Sequence, residues 1–585
     1  MQRFALACDA IAATAKKLQK TSIVADYLRT LPADEAAVAA VFLSGRAFPV
    51  WEETTLQVGG RSLWQIVEEI SGRNESELTN AYRRHGDLGA VAGEVLAAKE
   101  SRFSVGDVER TFRRIAAVRG PLAKGAEVRK LLSEAHPLEA KYIIKIMTGD
   151  LRIGLKESLV EEAIAKAYAA TMAEVQRANM LLGDIGETVR LALSGKLREA
   201  KMRLFHPMGF MLASPVESSE EGLSYFPDAA VEDKYDGIRA QAHVANGEVR
   251  FYSRTRDDIT ESFPELPPAL AGLANDAILD GEIVAWEFPA VASKATQVVD
   301  ETALAVSEAK AQQLGRARPF RVLQQRLGRK KVSEKMLRDT PVAYLVFDTL
   351  YVGGELVLDR PLRERAQILD QLLAQPRSSV ARGLATGEQA KLVFDDADLL
   401  HAVGVIRAPV FRASSPEQLE ELFASARGRG NEGLMIKDPN STYSPGKRGK
   451  SWLKMKRELA TLDVVVTAVE YGHGKRIGVL SDYTFAVWDG DKLVNIGKAY
   501  SGLTDAEIAE MSRWFLEHVV EDQGFRLIVE PKMVLEVAFN NMMRSDRHES
   551  GFALRFPRIV RLRPDKLAGD ADTLDRAKQI FQQQK

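Results

Sequence analysis

The spacing of apolar residues changes twice along the chain, and each change predicts a different kind of structure. From about residue 4 to residue 201 the spacing is helical. Within 158–168, for example, one helix face would carry Val160, Ala163, Ile164, Ala167 and Tyr168. After His206 short β-rich runs alternate with helical stretches, and from Leu462 onward short strands predominate. The chain is therefore expected to contain three regions.

The predicted strands place the boundaries of these regions. In the middle region they are 249–252, 278–284, 342–347 and 434–437, and in the last region 464–469, 484–488 and 493–499. Thr504 and Glu507 have the spacing of a capping box, which opens a helix with Ile508, Met511, Phe515 and Val519 facing inward. We predict an all-α domain over 1–205, an α+β domain over 206–456 and a small β-barrel over 457–585. The stretch 289–313 fits either a helical insertion or a loop.

Composition limits the class of protein without naming its partner. The length of 585 residues is too great for one hydrophobic core, and 45% hydrophobic with 28% charged residues is ordinary for a globular chain. The only cysteine, Cys8, excludes a disulfide framework and a zinc site of several thiolates. The first apolar run ends at Asp9 and no later run has spanning length, so we expect a cytoplasmic protein. A net charge of -1 neither supports nor excludes nucleic acid.

The sharpest local feature is the string Glu232-Asp233-Lys234-Tyr235-Asp236-Gly237-Ile238-Arg239. If it is a strand throughout, Lys234 and Asp236 point to the same side. A lysine becomes nucleophilic only when burial or nearby cations, such as Arg239 or a metal, favour its neutral form. Read alone, the K-x-D-G string is better explained as a surface lysine and carboxylate pair.

Later strings change that interpretation because they supply complementary chemistry in a fixed order. Asp280-Gly281-Glu282 places two carboxylates on one strand face, and Phe347-Asp348 ends another apolar strand. Three further strings contain cations and one more carboxylate. They are Ser253-Arg254, Glu432-Gly433-Leu434-Met435-Ile436-Lys437 and Trp452-Leu453-Lys454-Met455-Lys456. The set contains a nucleophile, carboxylates, phosphate-binding cations and an aromatic ring.

In this order the strings resemble the motifs of ATP-dependent DNA ligases, whose superfamily also includes RNA ligases and capping enzymes. The resemblance implies that Lys234 attacks the α-phosphate of ATP and becomes a lysyl adenylate. It implies that Arg239 and Arg254 hold phosphate or ribose, and that Glu282 contacts ribose or metal. Adenine would stack on Phe347 and present its amino edge to Glu232. Seen singly, Phe347 also fits a core position, and Glu432 also fits an ion pair with Lys437.

The resemblance also implies groups for metal and phosphate. Magnesium, or manganese, would be held by Asp236, Glu282 and Glu432, and phosphates by Arg448, Lys454 and Lys456. The string over 554–566 resembles the last ligase motif, on a C-terminal oligonucleotide-binding (OB) barrel, so the β and γ phosphates would meet Arg555, Arg558 and Lys566. Without its companions, this string is better explained as a solvated basic face.

The segment 141–155 resembles the DNA-binding domain of these ligases. Its expected DNA contacts are Thr148, Gly149, Arg152 and Gly154, whose exposed amides and one cation suit phosphates rather than bases. Gly149 also fits a helix C-cap, and the two roles are compatible. The implied partner is nicked double-stranded DNA, with no membrane and a monomeric chain.

The resemblance thus predicts an ATP-dependent enzyme that joins 3′-OH and 5′-phosphate ends at nicks through lysyl-AMP and adenylated DNA, in replication, repair or recombination. NAD-dependent ligases share K-x-D-G but carry a four-cysteine zinc module, which one cysteine cannot supply. An RNA ligase is the nearest enzymatic alternative, although such enzymes generally lack the helical domain. A catalytically silent DNA scaffold is the alternative from another class.

Overall fold

The described part of the chain forms two compact units. The computed structural model describes residues 1–583 except 53, 227, 289–313, 330, 375–403, 457–459, 473–475, 477 and 525. Unit one comprises Met1–Asn179, Ile185–Glu199 and Glu458–Lys585, and unit two comprises Met180–Asp184 and Ala200–Arg457. The stretch 289–313, predicted as an insertion or a loop, lies outside the described residues.

The N-terminal region is helical, as its apolar spacing predicts. Asn74 accepts from the Glu77 amide at 3.0 Å and Glu77 reaches back, a capping box that satisfies two amides at a helix start. Three buried rings, Phe4, Phe42 and Phe112, pack with centroids 6.0 and 5.6 Å apart. The helices are α1 (Gln2–Ala12), α2 (Lys17–Arg29), α3 (Ala33–Leu43), α4 (Gly60–Ser71), α5 (Glu75–His85), α6 (Leu88–Val95), α7 (Val105–Ala117), α8 (Pro121–Glu134), α9 (Pro137–Met147), α10 (Glu157–Ala167), α11 (Met172–Leu182) and α12 (Ile185–Leu193).

Unit two is mixed α and β, as predicted. Its helices are α13 (Ser219–Ser224), α14 (Leu266–Leu270), α15 (Phe320–Gln324), α16 (Glu334–Asp339), α17 (Leu362–Ala374) and α18 (Pro416–Gly428). Its strands are β1 (Leu212–Val216), β2 (Ala229–Lys234), β3 (Ile238–Ala245), β4 (Glu248–Ser253), β5 (Ala277–Glu287), β6 (Arg316–Ala317), β7 (Val342–Val352), β8 (Glu355–Leu356), β9 (Val405–Arg407), β10 (Phe411–Ala413), β11 (Gly433–Lys437) and β12 (Arg448–Met455). The strand predicted to end near Phe347 therefore continues to Val352.

The strands of unit two form two main sheets. The first has the order β1-β12-β11-β2-β10, and the second has the order β4-β3-β5-β7-β8, with β6 paired to β5 and β9 to β7. Apolar side chains on one face of each sheet pack against helices. These helices are α13 and α18 for the first sheet, and α14 and α17 for the second. A third cluster joins both sheets and includes Met211, Ile278, Tyr443 and Trp452, with Phe347 packed against it. The polar residues beside this cluster form the site described below.

The C-terminal region of unit one is the predicted OB-type strand-rich domain. It contains β13 (Ala460–Tyr471), β14 (Leu480–Asp489), β15 (Lys492–Ala499), α19 (Asp505–Glu517), β16 (Val519–Asp522), β17 (Arg526–Val529), β18 (Val534–Phe539), β19 (Asn541–Arg544), β20 (Phe552–Arg555), β21 (Arg558–Leu562) and α20 (Leu574–Gln583). The central strand β13 pairs with β14, β17 and β18, and β18 pairs with β21.

The predicted capping box of α19 is confirmed, but one of its four inward residues is not helical. Thr504 accepts from the Glu507 amide at 3.3 Å, and Ile508, Met511 and Phe515 are buried. Val519 instead opens β16. The helix ends at Glu517, and the cap residue His518 has φ of -121° and ψ of 30°, outside the helical region, so the helical period does not continue to Val519.

Candidate active site

One face of the first sheet of unit two carries the predicted nucleophile. Side chains alternate along β2, so Glu232 and Lys234 share a face while Val231 packs in the opposite core. In the antiparallel pairing Met435 lies opposite Glu232, and Lys454 lies opposite Met435 on the next strand. Cross-strand partners share a face of the sheet. Three strands thus direct a carboxylate, a thioether and two amines to one side.

Lys234 ends β2 and forms an ion pair with Glu432. Both side chains are about one-fifth exposed, and the Glu432 amide also donates to the Lys234 carbonyl at 2.8 Å. The alternative pairing of Glu432 with Lys437 is wrong, because Lys437 binds Glu232 at 2.6 Å. Glu432 precedes β11 and Lys437 ends it, so the two side chains lie at opposite ends of that strand.

Asp236 lies near Lys234 for a different reason from the one predicted. The strand ends at Lys234, so Asp236 belongs to the turn into β3 and strand alternation does not set its direction. The turn runs close to the second sheet: a Cβ on Gly237 would lie 2.3 Å from the Ile283 carbonyl oxygen. The charge of Asp236 acts on Glu282, which places both carboxylates at the same cleft.

Arg239 is held by a buried network rather than presented alone. Its guanidinium donates to both Asp280 oxygens at 3.1 and 2.7 Å and to the Met211 carbonyl at 2.6 Å. The Tyr443 hydroxyl donates to Asp280 at 2.7 Å. Although burial opposes it, the nearby Asp280 charge raises the pKa of Arg239, so this cation stays charged. The central carbon of its guanidinium lies 5.5 Å from the Phe347 ring centroid.

Glu282 faces the same cleft as Lys234 and Arg239, opposite Arg239 in the β3–β5 pairing. Burial raises the pKa of Glu282 to about 8, and the charges of Lys234 and Arg239 oppose this shift. A carboxyl that titrates near neutral pH can exchange its proton for a cation. Asp280 and Glu282 thus lie on one strand face, as predicted. Asp280 is bound by Arg239 and Tyr443, whereas Glu282 faces the cleft.

Phe347 and Glu232 line one pocket. Phe347 is half-buried, with its ring centroid 6.0 Å from Trp452. The Lys437 amine lies 4.4 Å from the Phe347 centroid while it donates to Glu232. The ring is thus partly core and partly pocket wall. Other residues that line this pocket are Leu362, Arg363, Ala366, Arg407 and Val410.

A group of cations lies beside the Lys234 end of the sheet. The pKa of Lys454 is lowered by burial and then by the charges of Lys456, Arg448, Lys234 and Arg254. Arg254 and Arg448 are exposed, while Lys454 and Lys456 are half-buried. Mutual repulsion within such a group is relieved when an anion such as a triphosphate binds. The structure thus brings together Arg254, Arg448, Lys454 and Lys456, which are the predicted phosphate-binding residues of unit two apart from Arg239.

The predicted residues of the last motif lie in unit one. Arg555 ends β20 and Arg558 begins β21. Between them Phe556 is 64% exposed, with φ of 52° and the Arg555 guanidinium 5.0 Å from its ring centroid. Lys566 donates to Asp463 at 2.7 Å. Two of these cations therefore flank an exposed ring, and the third is held by a carboxylate.

The predicted DNA contacts also lie in unit one, just after α9. Thr148 is the C-cap, one residue before the position predicted, and Gly149 follows it in the left-handed conformation with φ of 68°, where it ends the helix. Arg152, with φ of 49°, donates to Asp150 and to the Gly86 carbonyl, both at 2.5 Å. Gly154 has φ of 64° and is exposed. The turn is well defined, but its only predicted cation is already bound to acceptors.

Four residues that shape the cleft are not among the predicted site residues: Asp280, Lys437, Tyr443 and Trp452. Lys437 ends the same string as Glu432, and its lone charge on an apolar strand was the available signal. Among the described residues, no three His, Cys, Asp or Glu side chains gather as a ready-made metal site. None of the helices in the described ranges has the length and apolarity needed to cross a bilayer.

Comparisons with known proteins agree along the whole chain. The family described as "DNA ligase N terminus" matches residues 1–165. The "ATP dependent DNA ligase domain" matches 210–313 and 293–456, and the "ATP dependent DNA ligase C terminal region" matches 476–566. A solved structure named "Pmar-Lig_PreS3" shares the fold, with a TM-score of 0.59 and 16% identity over 96% of this chain and 99% of that one.

Two curated relatives establish the family. A "Probable DNA ligase" of Koribacter versatilis is 56% identical over 100% of this chain and 97% of its own length. A "DNA ligase" of Methanopyrus kandleri is 34% identical over 96% of this chain and 95% of its own. Together with the cleft of unit two, which holds a lysine, carboxylates and a cation group, these matches show that the chain belongs to the ATP-dependent DNA ligases.

Proposed function

We propose that Lys234 is the nucleophile that carries the adenylate in nick sealing. Its amine attacks the α-phosphorus of ATP, forming a phosphorus–nitrogen bond as the bond to pyrophosphate breaks. A 5′-phosphate at the nick then takes the AMP, and the 3′-OH displaces it. The observation that carries this proposal is the position of Lys234 at the end of β2, ion-paired with Glu432 and surrounded by cations.

The ion pair explains how Lys234 is held and what must change before it reacts. An ammonium is not a nucleophile, so the proton must leave and Glu432 must find another cationic partner. Magnesium or manganese, bound by Glu432, Asp236 and Glu282 together with phosphate oxygens, would supply charge neutralisation at the triphosphate. Magnesium is commonly bound through one or two carboxylates plus phosphates, so this donor set fits without a ready-made cluster of three.

The nucleotide would span the cleft from the pocket to the cation group. Its base would stack on Phe347 with its amino edge at Glu232. Arg239 and Arg254 would contact ribose or phosphate, and the triphosphate would meet Arg448, Lys454 and Lys456. This order follows β2, where Glu232 and Lys234 lie two residues apart on one face.

The residues of unit one would act on the leaving group and on DNA. Arg555, Arg558 and Lys566 would orient the β and γ phosphates during the first step, which for Lys566 requires exchange of its Asp463 contact. Thr148, Gly149, Arg152 and Gly154 would meet the backbone of nicked duplex, without reading sequence. The protein would work as a monomer in the cytoplasm, or at the nucleoid in a prokaryote.

Self-adenylation tests the assignment of Lys234. The protein is incubated with ATP and a divalent metal, and the peptide that contains Lys234 is examined by mass spectrometry for an added AMP. We expect Lys234→Ala to lose the adduct while nicked-duplex binding remains, because binding depends mainly on cationic surfaces. The exposed Lys335→Ala is the matched control and keeps the adduct. An adduct of wild-type yield in Lys234→Ala disproves the assignment.

A substrate comparison tests the alternatives. Sealing of a DNA nick with ATP, but not with NAD, supports the proposed reaction. Preferential sealing of an RNA nick supports the RNA ligase alternative. The absence of any adduct with magnesium and with manganese supports a silent scaffold.

A further inference from the structure

Asp233 lies on the face of β2 that points away from the cleft. It sits between Glu232 and Lys234, so strand alternation directs its side chain to the same side as Val231, which belongs to the apolar core of the first sheet. Its side chain is 5% exposed. A carboxylate at such a position needs partners, because an isolated charge in an apolar layer is costly.

Asp233 finds these partners in the segment that precedes Glu432. The Arg429 guanidinium donates to both of its oxygens at 2.8 Å, and the Asn431 side-chain amide donates to Oδ2, also at 2.8 Å. Arg429 is 12% exposed, and its guanidinium lies 5.4 Å from the Phe411 ring centroid. A bidentate arginine and a third donor fix the geometry of this carboxylate. We call Asp233, Arg429 and Asn431 the rear clamp.

The rear clamp holds the short turn that carries Glu432. Helix α18 ends in a turn of the Schellman type, in which the Asn431 backbone amide donates to the Ala426 carbonyl at 3.0 Å. Gly430 has φ of 84°, the left-handed conformation that this turn requires. Glu432 is the next residue after Asn431, and its amide donates to the Lys234 carbonyl at 2.8 Å. The backbone position of Glu432 is therefore fixed by contacts that do not involve its own carboxylate.

Two neighbouring sets of contacts thus join β2 to this turn from opposite sides of the sheet. On the cleft side Lys234 pairs with Glu432. On the other side Asp233 binds Arg429 and Asn431. The function proposed above requires the Lys234–Glu432 pair to separate before the amine reacts. The rear clamp persists at that moment, because it uses neither the Lys234 amine nor the Glu432 carboxylate.

We propose, resting on the function proposed above, that Asp233 is a positioning residue for self-adenylation. Through Arg429 and Asn431 it keeps Glu432 in place while Lys234 reacts. Because Asp233 faces away from the cleft, its effect is on the rate of the chemical step rather than on the affinity for ATP. A misplacement of about 1 Å in a group that serves the reacting atoms slows such a step by up to roughly 100-fold.

Hydrogen exchange of the backbone amides of 430–432 tests the proposal without any chemistry. Asp233→Asn, which removes the charge and one acceptor oxygen, is made with Lys234 present and in Lys234→Ala, which lacks the cleft-side pair. We expect it to speed exchange at least about tenfold in Lys234→Ala but only about twofold with Lys234 present, because there the cleft-side pair also holds the turn. Equal effects in the two backgrounds overturn the proposal, since a general loss of stability does not depend on Lys234.

Single-turnover adenylation gives the second measurement. For Asp233→Asn, the rate constant of AMP adduct formation at saturating ATP should fall at least about tenfold. The ATP concentration that gives half of that rate should change by less than about twofold. An unchanged rate constant overturns the proposal. So does a rise in the half-saturating ATP concentration that matches the fall in rate, because Asp233 would then support the nucleotide pocket as a whole.

Further variants separate positioning from loss of folding. Asp233→Leu combined with Arg429→Met removes both buried charges together, so it serves if Asp233→Asn does not fold, and it should show the same two effects. Glu265→Gln is the matched control. Glu265 accepts a bidentate pair from the fully buried Arg326 elsewhere in unit two, at 2.5 and 2.7 Å. This control should change neither the exchange at 430–432 nor the rate of adduct formation.

Exchange and adduct formation test the two proposals separately. If wild-type protein forms no AMP adduct on Lys234, the proposed function fails, but the exchange rates still decide whether the rear clamp holds Glu432. If the adduct forms and Asp233→Asn exchanges like its parent in both backgrounds, only the proposal about Asp233 fails.

Discussion

At the scale of single residues, the cleft of unit two pairs most of its acids with named cations. Lys234 binds Glu432, Lys437 binds Glu232 and Arg239 binds Asp280. Glu282 differs, because it forms no ion pair among the described residues and burial is the largest influence on it. Burial therefore opposes the ionisation of Glu282 in the folded chain.

Replacing Glu282 should change how stability depends on pH. Burial raises its pKa from 4.5 to about 8, so between these values the folded chain binds this proton and the unfolded chain does not. The free energy of unfolding then falls as pH rises through that window. Glu282→Gln should remove this slope and be more stable than wild type at about pH 8.5 by at least about 1 kcal/mol, a modest figure because Glu282 is partly exposed to the cleft.

Urea unfolding at about pH 5, 7 and 8.5 measures this difference. Glu261→Gln, at an exposed position, is the matched control and should follow wild type. Parallel pH profiles for Glu282→Gln and wild type would show that Glu282 does not hold its proton in the folded chain.

At the scale of elements, the pairing of β2 with β11 brings Lys234 and Glu432 together. Gly433 lies opposite Lys234 and directly follows Glu432. It has φ of 148°, and a Cβ there would lie 2.2 Å from the Met455 carbonyl oxygen and 2.9 Å from the Phe423 ring. A side chain at this position must therefore push β12 or α18 away from β11.

Gly433→Ala should damage both stability and the first chemical step. We expect a loss of about 2 kcal/mol or more in unfolding free energy, from the close contact and the backbone angle together. AMP adduct formation should fall at least about tenfold, because Lys234 and Glu432 are positioned through this pairing. Gly449→Ala on β12 is the control, since nothing lies within 4 Å of the Cβ it would add. Equal behaviour of the two variants in thermal unfolding and adduct assays would contradict this account.

At the scale of the whole molecule, the predicted groups are divided between two units. The predicted nucleophile Lys234, the predicted metal-binding carboxylates and five predicted cations belong to unit two, while Arg555, Arg558 and Lys566 belong to unit one. Residues that serve only the leaving pyrophosphate have no task once the AMP has been transferred. The first and last steps of the reaction should therefore respond differently to changes in the OB-type domain.

Arg558→Ala should slow self-adenylation by at least roughly tenfold and leave sealing of pre-adenylated DNA much less affected. Rates of adduct formation and of single-turnover sealing measure the two steps. Arg561→Ala, an exposed residue of the same strand paired with Glu536, is the control and should change neither rate appreciably. An equal loss in both steps would show that Arg558 does not act on the leaving group alone.

Local pattern determined the elements of this protein because each pattern needs only neighbouring residues. The apolar period predicted the helices of the first region, short β-rich runs predicted β4 and β5, and spacing predicted the capping box of Thr504 and Glu507. It failed where a boundary depends on contacts: Asp236 lies in a turn and Val519 in a strand. The order of strings from Lys234 to Lys456 was enough to indicate the family and the predicted residues of the cleft.

Only the tertiary structure decided which charges meet. Lys234 and Glu432 are 198 residues apart, and Glu232 and Lys437 are 205 apart. Sheet register and strand direction place Glu432 beside Lys234 and Lys437 beside Glu232. The same register buries Lys437 against Phe347 and Trp452. Such pairings arise from the packing of distant strands, and a one-dimensional pattern carries no record of register.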